Sequence, residues 1–201
     1  MCARYRLKLS VRSVAELLGL AMPEFEEFTE RPRLNITISQ QVPIVKLDDG
    51  QRKFAAAEWG FFAPWDKSTR IFNAAGETVA VKRTFSDSFK HRRCLIPADG
   101  FYEWPNKHPT LIHFPDDRLF FFAGLWLNGA MTMITCASND FMRPIHRRMP
   151  AILREQDYAS WLDPRSPRNV VQALIAPRNW EGMQAVAIPK LMPDSPSSSE
   201  V

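Results

Sequence analysis

The order of apolar and polar residues along this chain predicts a strand-rich fold with short helices. Residues 13–20 read as a helix, with Ser13 and Glu16 at the spacing of a capping box. From Arg33 to Val45 β-branched residues alternate loosely with polar ones, which predicts a strand, and Pro43 places it at an edge or a bulge. Lys53–Trp59 predicts another strand, leading into the aromatic segment from Trp59 to Trp65. Val81, Phe85 and Phe89 then recur at spacing four, which predicts a helix over 78–92.

The middle of the chain returns to β signals. Cys94–Pro97 and Gly100–Trp104 are short apolar runs, and Leu111–Phe114 with Leu119–Trp126 reads as a hairpin turned at Pro115–Arg118. Asn128-Gly129 is a tight-turn signal ahead of Ala130–Ala137. Helices are expected around 154–162 and 169–174. Residues 192–201 are poor in apolar side chains and rich in Ser and Pro, which predicts a disordered tail. No repeat or linker interrupts 1–191, so one α+β domain is expected there, a β-rich core with helices packed around it.

Composition narrows the class. The chain has 201 residues, 45% of them hydrophobic, enough for a substantial core. It has no long apolar run for a membrane span and no apolar stretch at its start for a secretory signal, so a cytoplasmic protein is expected. Of its three cysteines, Cys94 and Cys136 lie in apolar runs and read as small buried hydrophobes. No C-x-x-C or H-E-x-x-H spacing occurs, so neither a metal nor another cofactor is expected. The net charge of +4 is mild, but basic residues cluster at Lys82-Arg83, at Lys90–Arg93, and at Arg143 with His146–Arg148. Such clusters supply phosphate contacts or form a solvated face.

The candidate chemistry begins at Cys2. With Met1 removed, this residue carries an α-amine and a thiol on adjacent carbons. The amine has a reference pKa of about 7.7–8.0, far below that of a lysine, so a fraction on the order of 10% is unprotonated near neutral pH. Together the two groups condense with an aldehyde to a thiazolidine; alternatively the residue is an N-terminal nucleophile for amide hydrolysis, or an incidental cysteine. Asn73 either orients a substrate or caps a turn. Glu103 lies between Tyr102 and Trp104; it is a desolvated acid–base group or, by strand alternation, a water-facing side chain. His146, between Pro144 and Pro150, is a proton shuttle or a surface histidine. Trp59, Phe61, Phe62 and Trp65 stack on unpaired bases or fill the core.

Taken in order, Met1-Cys2-Ala3-Arg4, Asn73 with Glu77-Thr78, the run from Arg92 to Trp104 (RRCLIPADGFYEW) and Ile145–Pro150 (IHRRMP) resemble the SOS-response-associated peptidase family, whose members are abasic-site processing proteins. The resemblance runs from residue 1 to about Leu162. It implies a single domain with a β-barrel-like core and a basic groove. It also implies recognition of abasic sites in single-stranded DNA and a covalent crosslink through the N-terminal cysteine. By the same resemblance Cys2 is the nucleophile, Asn73 positions the N-terminus and the deoxyribose, Glu103 is the acid–base residue and His146 assists proton transfer. Arg4, Trp59, Phe62, Trp65, Lys82, Arg83 and Arg148 are implied as DNA contacts. Where the family pattern has glycine, an arginine after the asparagine, and Asp or Asn after the histidine, this chain has Ala3, Ala75 and Arg147. An N-terminal-nucleophile peptidase and a non-catalytic single-strand-binding module remain the alternatives.

Overall fold

The computed structural model describes residues 2–21, 31–63 and 65–191. The chain starts with β1 (Arg4–Leu7) and α1 (Val11–Leu18), then β2 (Arg33–Thr37), β3 (Gln41–Asp48), β4 (Gln51–Trp59), β5 (Phe61–Ala63), β6 (Asp66–Ile71) and β7 (Asn73–Ala75). After α2 (Ser86–His91) come β8 (Arg93–Ala98), β9 (Gly100–Glu103), β10 (Thr110–His113), β11 (Phe120–Leu127), β12 (Ala130–Ala137), β13 (Arg148–Pro150) and β14 (Ile152–Leu153). Helices α3 (Tyr158–Leu162) and α4 (Arg168–Leu174) precede β15 (Gln184–Ala187).

Two sheets carry the fold. The first, β15-β10-β9-β1-β2, is antiparallel throughout. The second runs β13-β12-β4-β3-β8-β11-β14, and β12 also pairs with β11 and β7. Strands β12, β4, β3, β8 and β11 therefore close a ring. One link of it, β12 to β4, is parallel and spans only Ala130↔Glu58 and Met131↔Trp59, so the ring stops short of a strict barrel. The fold is mixed α+β with a mostly antiparallel core, as expected. Tyr5, Trp59 and Phe122 interlock in that core, with Tyr5 and Trp59 ring centroids 5.5 Å apart. Cys94 and Cys136 are buried there too.

The β11–β12 hairpin turns at Asn128-Gly129, both at positive φ (50° and 76°), as a two-residue primed turn requires. Four other expectations are corrected. Strands β10 and β11 form no hairpin: β10 pairs with β9 and β15, while β11 pairs with β8, β12 and β14. The stretch 78–92 is helical only over Ser86–His91; before it lies a series of turns in which Val79 is buried and Val81 is exposed. Helix α1 is capped by Ser10, whose hydroxyl accepts from the Ser13 N–H at 3.1 Å, so Ser13 is not the cap. The strand expected over 33–45 divides into β2 and β3 at a turn where Ser39 has φ 66°. Pro43 sits inside β3, opposite Ala56 of β4 and ahead of the β8 pairing, which begins at Val45. The tail expected over 192–201 lies outside the described residues.

Candidate active site and DNA groove

Four side chains converge from two sheets. Strand β1 lies between β2 and β9, with Tyr5 opposite Phe101 and Arg6 opposite Gly100. That register carries the leading end of the chain toward Glu103, the last residue of β9. Asn73 opens β7, which runs parallel to β12 with Asn73 opposite Met133. His146 precedes β13, which folds back on β12 with Arg148 opposite Ala137. The first sheet thus supplies Cys2 and Glu103, and the second supplies Asn73 and His146.

The Asn73 Nδ2 donates to the Cys2 carbonyl at 3.0 Å. The Cys2 thiol, 1% exposed, donates to the Arg4 carbonyl at 3.3 Å. His146 Nδ1 lies 4.0 Å from Glu103 Oε1. Glu103 is buried rather than water-facing, since its strand packs on both faces. Its Oε1 and the Asn73 Oδ1 are buried acceptors without a hydrogen-bond partner among the described residues. Two orphaned acceptors on residues that each act on Cys2 are costly for folding alone and fit a site that receives donors from a ligand.

Charge reinforces this. Burial pushes the Glu103 carboxyl above its ordinary range, while His146 pulls it partly back. Burial, and then the charge of Glu103, pushes the Cys2 thiol up, so the sulfur is a neutral thiol at rest. Protonating Glu103 removes its share of that penalty, which couples the two groups. His146 Nδ1 accepts from the Arg148 N–H at 3.0 Å when the ring is neutral. The Arg148 carbonyl is also 3.0 Å from Nδ1 and accepts from it in the other tautomer, so the loop accommodates either tautomer.

A groove of about 420 Å³ opens beside Asn73, walled by Lys82, Thr84, Phe85, Thr135, Arg147 and Arg148. Among the DNA contacts expected from sequence, Lys82 and Arg148 line it. Arg148 is also held by Glu77 at 2.6 Å and by the Thr135 carbonyl at 2.7 Å. Trp65 is exposed, with the Arg83 guanidinium 4.4 Å from its ring centre. Phe62 is half-buried with Arg70 over it at 5.0 Å, and Arg4 bonds Asn35 Oδ1 at 2.7 Å. Trp59 corrects the expectation: it is fully buried, and its Nε1 donates to the Phe72 carbonyl at 2.8 Å, so its ring is a core element and faces no ligand. Thr84 and Thr135 were not singled out by the sequence; hydroxyl residues inside apolar strands and turns give no signal of their own.

The family model for SOS response associated peptidase (SRAP) matches residues 1–194. The chain belongs to the SRAP family. YoqW of Bacillus subtilis, described as an abasic site processing protein, is 30% identical to this SRAP chain over 220 residues, covering 99% of the chain and 96% of YoqW. HMCES of Xenopus tropicalis, also described as an abasic site processing protein, is 33% identical over 156 residues, covering 58% of the chain and 47% of HMCES. A crystal structure of a protein from Bacteroides thetaiotaomicron shares the fold with a TM-score of 0.80 at 24% identity, covering 93% of this chain and 92% of that one. Among the described residues no group of three or more His, Cys, Asp or Glu side chains is placed to hold a metal, and no helix is long and apolar enough to cross a membrane.

Proposed function

We propose that this SRAP chain processes abasic sites in single-stranded DNA and becomes covalently joined to them through Cys2. The observation that carries the reading is the Asn73 amide holding the Cys2 carbonyl at 3.0 Å beside the buried Glu103, whose Oε1 has no hydrogen-bond partner among the described residues and lies 4.0 Å from His146 Nδ1. The chain functions as one domain over 1–191, in the cytoplasm and on the nucleoid when it meets damaged DNA.

Removal of Met1, by an aminopeptidase or by the chain itself, frees the α-amine. That is the extent of the peptidase activity in this reading. An abasic deoxyribose is mostly a closed hemiacetal, unreactive toward amines. Glu103, whose proton affinity burial raises, gives a proton to the ring oxygen while His146 takes the proton of the C1′ hydroxyl, and the aldehyde opens. The Cys2 amine adds to the carbonyl and water leaves, forming an imine. The thiol then adds across the C=N bond, its sulfur to carbon and its proton to nitrogen. The product is a thiazolidine, with one water lost overall. Ring closure stops the imine from promoting β-elimination and strand breakage. Asn73 fixes the amine through the Cys2 carbonyl, and its Oδ1 is left to accept from the sugar.

Lys82 and Arg148 in the groove, Trp65 with Arg83 beside it, and Phe62 and Arg4 further out contact the strand. Cations supply affinity and aromatic rings supply stacking. The test is incubation of the protein, with Met1 absent by mass, with a single-stranded oligonucleotide bearing one abasic site. A denaturation-resistant adduct that Cys2→Ala abolishes is expected. Peptide hydrolysis indifferent to DNA would instead make the chain an N-terminal-nucleophile peptidase. Salt-sensitive binding that survives Cys2→Ala and ignores the lesion would make it a plain single-strand binder.

A further inference from the structure

A second cavity, of about 570 Å³, lies between α2 and α4, and no step of the Cys2 chemistry uses it. Its floor is apolar, formed by Phe89 and Val171 with Pro164 at the side, and its rim carries Lys90, Arg165 and Arg168. The one acid among its lining residues, Asp87, is bonded to Arg92. Lys90 and Arg168 have no ion-pair partner among the described residues.

Arg93 sits in the wall, only 3% exposed. Its guanidinium donates to the carbonyls of Phe89, Lys90, Trp161 and Asp163 and makes no hydrogen bond to a carboxylate. Burial pulls its pKa down to about 10, which leaves it charged at neutral pH. Carbonyl dipoles satisfy its N–H groups without cancelling its charge. The Asp163 carboxylate, which acts on it electrostatically, is bonded to Arg165 at 3.0 Å. A buried cation behind two rim cations without an ion-pair partner among the described residues, Lys90 and Arg168, leaves a positive field over an apolar floor, and a cavity of this size suits a small ligand.

We propose that the cavity between α2 and α4 is a second nucleotide site. Its apolar floor takes the base, and Lys90 and Arg168 take the phosphate, while Arg165 beside them is held by Asp163. Guanidinium forks match phosphate oxygens in pairs, and the floor separates a nucleotide from a bare anion. The nucleotide is either free or one unit of a DNA strand. A shallower hollow of about 490 Å³ shares Arg168 with the cavity and reaches Glu77, the partner of Arg148 at the Asn73 groove. A path therefore exists for a strand to run from one site to the other.

The test is an NMR titration of the full chain with adenosine 5′-monophosphate, with a 20-nucleotide oligo-dT lacking any lesion, and with inorganic phosphate. Shifts at the Phe89 and Val171 side chains and at amides of 86–93 and 164–171 on adding the mononucleotide assign a free nucleotide. The same shifts with oligo-dT alone assign a strand unit. Either result supports the site. Arg168→Glu should weaken the responding ligand about tenfold at these positions while leaving crosslinking to an abasic oligonucleotide too short to reach the cavity unchanged. No shift with either nucleotide ligand, the whole pattern reproduced by inorganic phosphate, or a pattern indifferent to Arg168→Glu would each overturn it. Loss of crosslinking in the wild type would count against the abasic-site reading and leave this one standing.

Discussion

The carboxamide of Asn73 reaches the carbonyl of Cys2 at 3.0 Å from a different sheet, joining the leading end of the chain to β7. The bond fixes an end that would otherwise be free to swing. Asn73→Ala should lower the crosslinking rate by about 10- to 100-fold with little change in melting temperature, because the lost term is orientation. Asn73→Asp should be at least as poor, since a carboxylate facing a carbonyl oxygen repels it. Single-turnover gel assays with thermal melts on the same samples check this; wild-type rates in both variants would remove Asn73 from the mechanism.

Glu103 is held above its ordinary range by burial, so the folded state binds its proton more tightly than the unfolded state does. The sign follows. Folding is favoured at low pH, and stability is lost as pH rises from the unfolded value of 4.5 through the raised folded one. Glu103→Gln removes that loss. It should raise the melting temperature at pH 8 more than at pH 4.5, while cutting ring opening and crosslinking by about 100-fold or more. A variant equally active and no more stable at high pH would contradict the assignment.

Away from the site, Asp99 is fully buried, and its carboxyl accepts from Arg6 Nε at 2.6 Å. Burial pushes Asp99 up, whereas the Lys8 ammonium bonded to Asp117, with Arg6 alongside, holds Asp117 down to about 2. Arg6→Ala strands a buried carboxylate and should cost about 3–5 kcal/mol at pH 7 by chemical denaturation. The cost should shrink near pH 4, where Asp99 without its partner takes up a proton. Asp117 contributes stability above its unfolded value of 3.8 that fades as pH falls toward 2.

Trp59 and Trp65 belong to one aromatic run but have opposite fates. Trp59→Ala should cost about 3–5 kcal/mol of stability, as a buried tryptophan does. Trp65→Ala should leave stability within about 0.5 kcal/mol of wild type and weaken single-strand binding by about 1–3 kcal/mol, the value of one stacked base. Melting curves and fluorescence anisotropy separate the two.

What the sequence made legible was local. Cys2, Asn73, Glu103 and His146 each sit in a recognisable motif, and the structure gathers them. The Asn128-Gly129 turn was readable because it needs positive φ at both residues. Pairing partners were not readable. Strands β10 and β11 are both apolar and joined by a turn-like segment, yet they enter different sheets; a period of two specifies a face, not a neighbour. The spacing of Val81, Phe85 and Phe89 mimics a helix, but Thr78, Val79, Val81 and Thr84 are β-branched, and the stretch settles into turns with Val79 inward. The buried face of Glu103 was hidden because β9 is covered on both sides, which defeats alternation.

The central claim is that the nitrogen and sulfur of Cys2 together capture the lesion, and intact mass spectrometry of the DNA adduct tests it most directly. The predicted mass is the chain without Met1 plus the abasic oligonucleotide, less one water, and because the open imine has the same mass, survival of denaturation without a reductant is what marks closure by sulfur. The adduct should persist under denaturation and be absent from Cys2→Ala. An adduct that retains Met1, or one formed equally by Cys2→Ala, would contradict the account.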